Sequence, residues 1–399
     1  MAGRGRAPGF GVLISAVVAV CALLVSLVGC GGGSASDRAE GEVRRLLDRR
    51  AAAVLDRDLA AYRSTGSTVG FGNLRSVPLA AWSYELTGLR LTGDTATADA
   101  RLRYRLDGYD PAPVVTGRVL KLARDADGAW DVVSDRPAHQ SAQQPWDQGP
   151  VRTVRGERSL VLGIGQSPEE LRGYAELADR AVPAVTEAWG TRWSRRVVVV
   201  VPESLDDMAA LLGSPASAYR GIAAVTTGEV GARATADRII VNPDAYGVLG
   251  AVGRQVVLTH ETTHVATRAH THAATPLWLS EGYADWAGYR GTGRTPAEAA
   301  PELARTVAEG RGPRRLPTDE DFAFTGDAAA LAQAYEGGWL ACRLIAENWG
   351  EDRLGEFYRA VGAHPRRAGA VEGALREVLG ITPEEFTERW RAYLRVQFG

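Results

Sequence analysis

Residues 256–268 read VVLTHETTHVATR, and within them His260, Glu261 and His264 form an H-E-x-x-H motif. On an α-helix, positions four apart lie on one face, so the two imidazoles can point at a single metal ion while Glu261 lies beside them. Zinc binds histidine nitrogens in tetrahedral geometry, and a catalytic zinc site uses three protein ligands and leaves the fourth position to water. The motif therefore predicts a helix that supplies two zinc ligands and requires a third ligand from elsewhere in the chain.

The third ligand is expected in residues 275–286, TPLWLSEGYADW, where Glu281 follows His264 by 17 positions. Glu281 lies among apolar side chains such as Trp278 and Tyr283. A carboxylate in such surroundings is costly unless it is paired or bound to a metal, which argues against the alternative of a solvated helix carboxylate. The sequence therefore predicts Glu281 as the third ligand of a Zn²⁺ site.

The pairing of these two stretches resembles the gluzincin class of zinc metallopeptidases, and WLSEGYADW is most similar to the small bacterial group called peptidase MA-like. The resemblance implies that His260, His264 and Glu281 bind zinc and that Glu261 is the general base. Asp285 follows Glu281 by four positions, as in the E-x-x-x-D of that class, where the aspartate accepts a hydrogen bond from a ligand histidine. The alternatives are a chance match, a site that has lost its metal and, for Asp285, an ordinary surface acid.

Tyr335 is a further catalytic candidate that the resemblance suggests. In gluzincins a tyrosine or histidine of the lower lobe donates to the oxyanion of the tetrahedral intermediate, and Tyr335 lies at the start of a helical pattern followed by Gly337 and Gly338, which allow close approach. His270 and His272, in the loop RAHTHAAT, are rivals for this role or for the metal. The alternatives are a core tyrosine and solvated loop histidines.

In gluzincins, an edge strand of the sheet beside the zinc forms backbone hydrogen bonds with the substrate, so that the bound peptide adds a strand to the sheet. The candidate substrate-binding residues are Ile222, Ala223, Ala224, Val225 and Thr226. An ordinary core strand is the alternative for this segment.

The chain begins with a predicted signal peptide, residues 1–29, in which two arginines precede an uncharged apolar run. Residues 27–30, LVGC, resemble the lipobox of bacterial lipoproteins, which implies that Cys30 is lipidated and that residues 30–37 form a flexible tether. The expected location is the extracytoplasmic face of the cell membrane, through a lipid anchor. An uncleaved helical anchor is the alternative.

Composition indicates a globular protein, since 45% of residues are hydrophobic, 24% are charged and the net charge is −2. No strong basic face is implied, so we expect no nucleic-acid partner. Of the three cysteines, only Cys342 would be a free thiol after processing, which excludes an intramolecular disulfide. Cys342 lies in a helical pattern and is expected to be a small buried core residue.

The predicted fold class is α+β with two domains. Residues 38–137 carry an opening helical segment and then alternating strand patterns, which resemble an NTF2-like helix and curved antiparallel sheet. Residues 138–158 are polar and aperiodic and are interpreted as a linker. Residues 159–399 are expected to form a gluzincin-like metallopeptidase domain, with a mixed sheet, the active-site helix and a helical C-terminal lobe. The N-terminal domain is expected to be a spacer or to present substrate.

The sequence thus favours a lipid-anchored extracytoplasmic zinc metallopeptidase that hydrolyses peptide bonds, with a peptide or protein as substrate. The main alternative is a catalytically silent zinc-binding lipoprotein that serves as a binding or scaffold module. A zinc hydrolase of non-peptide substrates is a third possibility. No G-A-M-E-N string precedes His260, which weakens an exopeptidase interpretation.

Overall fold

The computed structural model of the chain describes residues 35–227, 236–323 and 327–399. The predicted signal peptide and Cys30 lie outside these ranges. Within them, every helix is either too short or too polar to span a bilayer. The described part is α+β and contains one antiparallel and one mixed sheet, as the sequence predicts at this level.

Residues 35–137, here called the N-terminal unit, begin with the helices α1 (Ala35–Leu55) and α2 (Leu59–Arg63). An antiparallel meander of four strands follows, paired in chain order: β1 (Leu79–Thr92), β2 (Thr95–Leu106), β3 (Val114–Arg124) and β4 (Trp130–Pro137). Every second residue of β2 is buried, which follows from its alternating sequence TATADARLRYRL. The predicted helix and antiparallel sheet are confirmed, whereas the NTF2-like arrangement stays a prediction.

The opening helical segment is two helices rather than one. Arg57 has a φ of 56°, in the left-handed region that ends an α-helix. Asp58 then caps α2 by accepting a hydrogen bond from the Ala61 backbone N–H at 3.0 Å. The apolar spacing continues through this break, so periodicity alone did not reveal it.

The second sheet has five strands, which are β5 (Val151–Arg155), β6 (Ser159–Ile164), β7 (Val197–Val201), β8 (Ala224–Thr226) and β9 (Ile239–Val241). Their order across the sheet is β5-β6-β7-β9-β8. β6, β7 and β9 run parallel, while β5 and β8 pair antiparallel with their neighbours. The sheet is therefore mixed, as predicted, and β8 lies at one edge of it.

Helices account for most of the remaining chain. In chain order they are α3 (Pro145–Gln148), α4 (Pro168–Trp189), α5 (Leu205–Leu212), α6 (Pro243–Gly247), α7 (Ala251–Thr267), α8 (Leu277–Tyr289), α9 (Pro296–Ala299), α10 (Pro301–Ala308), α11 (Ala328–Trp349), α12 (Glu351–Ala363), α13 (Ala370–Ala374) and α14 (Pro383–Phe398), with a π-helical turn at Leu375–Leu379. From α8 onward the described chain is helical, which confirms the expected helical C-terminal part.

β7 reads VVVVV and is buried throughout, because both faces of the sheet are covered. Val198 and Val200 pack in a cluster that includes Trp82 and Tyr104 of the N-terminal unit. The other three valines pack in the cluster that contains residues of α4 and α7. The N-terminal unit therefore shares a hydrophobic core with the sheet that supports α7.

Residues 138–158, interpreted above as a linker, contain α3 and β5. Trp146 of α3 packs its ring 5.2 Å from that of Trp82 and 4.8 Å from that of Tyr104, measured between centroids. β5 forms the other edge of the mixed sheet. The polar composition of this segment concealed these elements, since few apolar side chains anchor them.

Two glycines allow α8 and α11 to cross closely. A Cβ atom on Gly338 would lie 2.6 Å from the Trp278 carbonyl oxygen, and one on Gly282 would meet the Gly338 backbone at less than van der Waals distance. The same interface buries Cys342 completely, which confirms it as a core residue. This close crossing brings the α11 segment that carries Tyr335 toward Glu281 on α8.

Candidate metal centre

Helix α7 carries His260, Glu261 and His264, as the motif predicts. The Nε2 atoms of the two histidines are 3.0 Å apart, so both rings point at one place. Both imidazoles are largely buried, with 13% and 18% of their side chains exposed. One turn of helix thus supplies two nitrogen donors on a single face.

Glu281 on α8 brings the third donor to the same place. Its Oε2 atom lies 3.3 Å from the His260 Nε2 atom and 3.4 Å from the His264 Nε2 atom. Ligands about 2.1 Å from a tetrahedral zinc ion lie about 3.4 Å from one another, so this spacing and donor set fit zinc. In the part of the chain that the structure describes, these three residues form the group able to hold a metal ion.

Asp285 lies one turn after Glu281 on α8. Its Oδ1 atom is 2.8 Å from the His260 Nδ1 atom, which places a carboxylate on the ring nitrogen that faces away from Glu281. A proton on the His260 Nδ1 atom is donated to the Asp285 carboxylate. The lone pair of the His260 Nε2 atom then points to the place where the three candidate ligand atoms converge. Asp285 therefore makes the contact with a candidate ligand histidine that was expected of it, whereas the role of Asp285 in metal binding stays a prediction.

The electrostatics of this cluster favour a positive charge. Burial disfavours a charged His260, but the carboxylates of Asp285 and Glu281 outweigh burial and hold the pKa of His260 well above its ordinary value. Burial likewise disfavours ionised Glu281, but His264 and His260 outweigh it and lower the pKa of Glu281. The carboxylates of Asp285 and Glu281 therefore stabilise a cation beside His260, whether that cation is a proton or a divalent metal ion.

Glu261 is buried, with 6% of its surface exposed, and is held by a contact that sequence reasoning missed. The Thr226 hydroxyl donates to the Glu261 Oε2 atom at 2.6 Å and lies 3.0 Å from the Glu261 carbonyl oxygen. Thr226 is the last residue of β8. In the sequence, the only feature that pointed to Thr226 was its position in the candidate substrate-binding strand.

A cavity of about 1040 Å³ opens onto these side chains. The sequence-predicted site residues that line it are Ile222, Ala223, Ala224, Val225, Thr226, His260, Glu261, His264, Glu281, Asp285 and Tyr335. His272 also lines the cavity, whereas the ring of His270 packs against Trp189 with a centroid distance of 5.6 Å. The cavity therefore joins the candidate ligands, the candidate base and the edge strand in one cleft.

The edge strand is shorter than predicted, since β8 begins at Ala224. The carbonyl oxygens of Ile222 and Ala223 instead accept hydrogen bonds from Asn242, at 2.8 Å and 2.9 Å respectively. β8 pairs with β9 and lies at the edge of the sheet. Pairing of its outer edge with substrate stays a prediction.

Tyr335 lies about two turns into α11 rather than at its start, because the helix begins at Ala328. Its ring packs against Phe322 with a centroid distance of 5.1 Å. Burial, followed by the charges of Glu281, Asp285 and Glu261, raises the pKa of Tyr335, so the hydroxyl keeps its proton. We find no hydrogen-bond partner for this hydroxyl among the described residues, which leaves it available to a ligand in the cavity.

Glu336 is a second cavity residue that the sequence did not reveal. It is buried, and its carboxylate accepts hydrogen bonds from the Leu303 and Glu302 backbone N–H groups at 2.6 Å and 3.2 Å. Burial raises the pKa of Glu336 to about 7, although these two N–H groups act in the opposite direction. Glu336 therefore caps the start of α10, a role that its position in a helical pattern does not indicate.

No family model matches the chain, and no curated protein matches it. Several solved structures are distantly similar. One is an M1 zinc metallopeptidase from Deinococcus radiodurans, a glutamate-to-alanine mutant bound to a Tyr-Ser-Ala substrate, with 13% identity over 82% of this chain and 95% of that chain and a TM-score of 0.38. Another is an M1 zinc metallopeptidase from the same organism, with 16% identity over 79% of this chain and 61% of that chain and a TM-score of 0.37. At this level of similarity, the chemistry of the site itself must decide the function.

Proposed function

We propose that this protein is a zinc metallopeptidase of the gluzincin type, with zinc held by His260, His264 and Glu281. The observation that carries the proposal is the convergence of two Nε2 atoms and one carboxylate oxygen within 3.4 Å of one another. Three protein ligands beside an open cleft are typical of catalytic zinc sites, whereas structural zinc sites are closed by four protein ligands. This favours an enzyme over a silent zinc-binding scaffold.

The residues of the cleft divide the chemistry among them. When bound, zinc lowers the pKa of a water molecule and polarises the scissile carbonyl group. Glu261 accepts the proton of the attacking water and passes it to the leaving nitrogen. Asp285 orients His260, and the Tyr335 hydroxyl donates a hydrogen bond to the oxyanion of the tetrahedral intermediate.

The substrate is proposed to be a peptide or protein. The cavity of about 1040 Å³ slightly exceeds the range of roughly 300–1,000 Å³ that is typical of small-molecule pockets, and it suits an extended chain. The edge strand β8 offers backbone groups for pairing with such a chain. We further propose, from residues 1–37 alone, that Cys30 carries a lipid anchor and that the enzyme works at the extracytoplasmic face of the membrane.

A digest of a peptide library tests the proposed activity. We expect the purified protein to cleave peptides, to lose this activity with a zinc chelator and to regain it when zinc is added back. Stoichiometric zinc without any cleavage would instead support the scaffold alternative. Cleavage that persists without metal would contradict the proposal.

Replacing Tyr335 with phenylalanine is expected to lower kcat by about 10²-fold, the scale of one lost oxyanion donor, while zinc content and KM stay unchanged. Tyr289→Phe is the matched control, because Tyr289 lines the same cavity but its ring packs against Trp339 with a centroid distance of 5.1 Å. Steady-state kinetics of both variants provide the measurement. An unchanged kcat in Tyr335→Phe would remove this residue from the mechanism and direct attention to His272.

A further inference from the structure

We propose that Thr226 is a positioning residue for Glu261, so that its side chain acts on the general base rather than on substrate. This inference rests on the proposed function. The basis is the 2.6 Å hydrogen bond from the Thr226 hydroxyl to the Glu261 Oε2 atom. A glutamate side chain has three rotatable bonds, and a single donor at its tip fixes the direction in which the carboxylate presents its second oxygen.

The hydrogen bond ties two separate elements together. Glu261 belongs to α7, whereas Thr226 belongs to the edge strand β8, 35 residues earlier in the chain. The Thr226 hydroxyl oxygen also lies 3.0 Å from the Glu261 carbonyl oxygen, so the strand end lies beside the turn of helix that carries the base. A hydrogen bond with an ionised partner is about twice as strong as one between neutral groups, which makes this contact effective in fixing the base.

The strand end that carries Thr226 is itself firmly held. The next residue, Thr227, donates its backbone N–H to the Arg238 carbonyl oxygen at 2.8 Å, and its hydroxyl accepts from the Arg238 N–H at 2.9 Å. The Arg268 guanidinium donates to the Thr227 carbonyl oxygen at 3.0 Å and to Asp237 at 3.1 Å. Thr226 therefore does not depend on Glu261 for its own position.

The N-terminal unit contributes to this anchoring. The Arg238 guanidinium forms two hydrogen bonds of 2.8 Å with the carboxylate of Asp110, which is buried with 1% of its side chain exposed. A guanidinium that donates two hydrogen bonds to one carboxylate has a specific geometry, and removing one partner of such a buried ion pair is destabilising. The antiparallel pair of β8 and β9 thus contacts α7 through Thr226 and the N-terminal unit through Arg238.

The test compares Thr226→Val, which keeps the shape and removes the donor, with Thr226→Ser, which keeps the donor. We expect Thr226→Val to lower kcat by about 10-fold to 100-fold with KM and zinc content unchanged, and Thr226→Ser to keep kcat within about threefold of the wild type. Thr262→Val is the matched control, because the buried Thr262 hydroxyl beside Glu261 has no hydrogen-bond partner among the described residues. Its kcat should be unchanged.

Crystal structures of the same variants provide a readout independent of turnover. Glu261 should keep its carboxylate position in Thr226→Ser and leave it in Thr226→Val. A rise in KM with an unchanged kcat in Thr226→Val would assign the side chain to substrate binding and overturn the inference. Equal kcat in the wild type and Thr226→Val would also overturn it while leaving the peptidase proposal intact. If the wild-type protein hydrolyses no peptide, the proposed function is refuted. If the Glu261 carboxylate keeps its position in the structure of Thr226→Val, the positioning role of Thr226 is refuted, whatever the kinetics show.

Discussion

Replacing Glu261 with glutamine is expected to lower peptide hydrolysis by about 10²–10⁴-fold, the usual contribution of a general base, while one zinc ion per chain is retained. Glutamine has nearly the same shape, and its amide oxygen can still accept the hydrogen bond that the Thr226 hydroxyl makes to Glu261. The amide cannot accept the proton of the attacking water. Kinetics and metal analysis on a single preparation provide the measurement.

Glu336→Gln is the control for this experiment. Glu336 is another buried glutamate of the same cavity, but its carboxylate is engaged with backbone N–H groups at the start of α10. We expect this variant to keep zinc and most of the activity. Full activity in Glu261→Gln, or loss of zinc from it, would contradict the assignment of Glu261 as the base.

Replacing His264 with alanine is expected to remove zinc and activity together. The change leaves two ligands, His260 and Glu281, of the three whose donor atoms converge. The loss in zinc affinity should exceed the about 10–100-fold that follows loss of an outer hydrogen-bond partner of a metal ligand. Zinc content after dialysis against a weak chelator, measured beside the wild type, provides the test.

His272→Ala is the matched control for His264→Ala. His272 lines the same cavity but is not part of the converging group. We expect this variant to keep its zinc. Retention of stoichiometric zinc by His264→Ala, or its loss from His272→Ala, would require a different ligand set.

Much of the site follows from local sequence. The i, i+4 spacing of His260 and His264 fixes their common face once a helix forms, and the helix forms as predicted. Glu281 and Asp285 are again four apart on one helix, so a single orientation of α8 brings both toward His260. The alternating sequence of β2 also predicts a strand with one buried face, and the structure contains that strand.

The missed features depend on contacts between distant parts of the chain. The hydrogen bond between Thr226 and Glu261 exists because β8 lies at the sheet edge against α7, and no local pattern encodes that placement. The capping of α10 by Glu336 requires the packing of α10 on α11. The strand β5 gains its order from pairing with β6 rather than from its own apolar content.

The N-terminal unit is more closely integrated than a spacer joined by a linker. Its Trp82 and Tyr104 complete the core on one face of the mixed sheet, and Asp110 forms a buried ion pair with Arg238 beside β9. A large shared apolar core resists relative motion of the two parts. The sequence could not indicate this, because Trp82 and Tyr104 are also typical of the core of an independent domain.

Anomalous diffraction at the zinc absorption edge, from crystals of the zinc-loaded protein, tests the central claim most directly. We predict a single zinc ion about 2.0–2.2 Å from the Nε2 atoms of His260 and His264 and from a carboxylate oxygen of Glu281. An ion bound elsewhere, or a Glu281 carboxylate turned away from an ion held by the two histidines, would contradict the account.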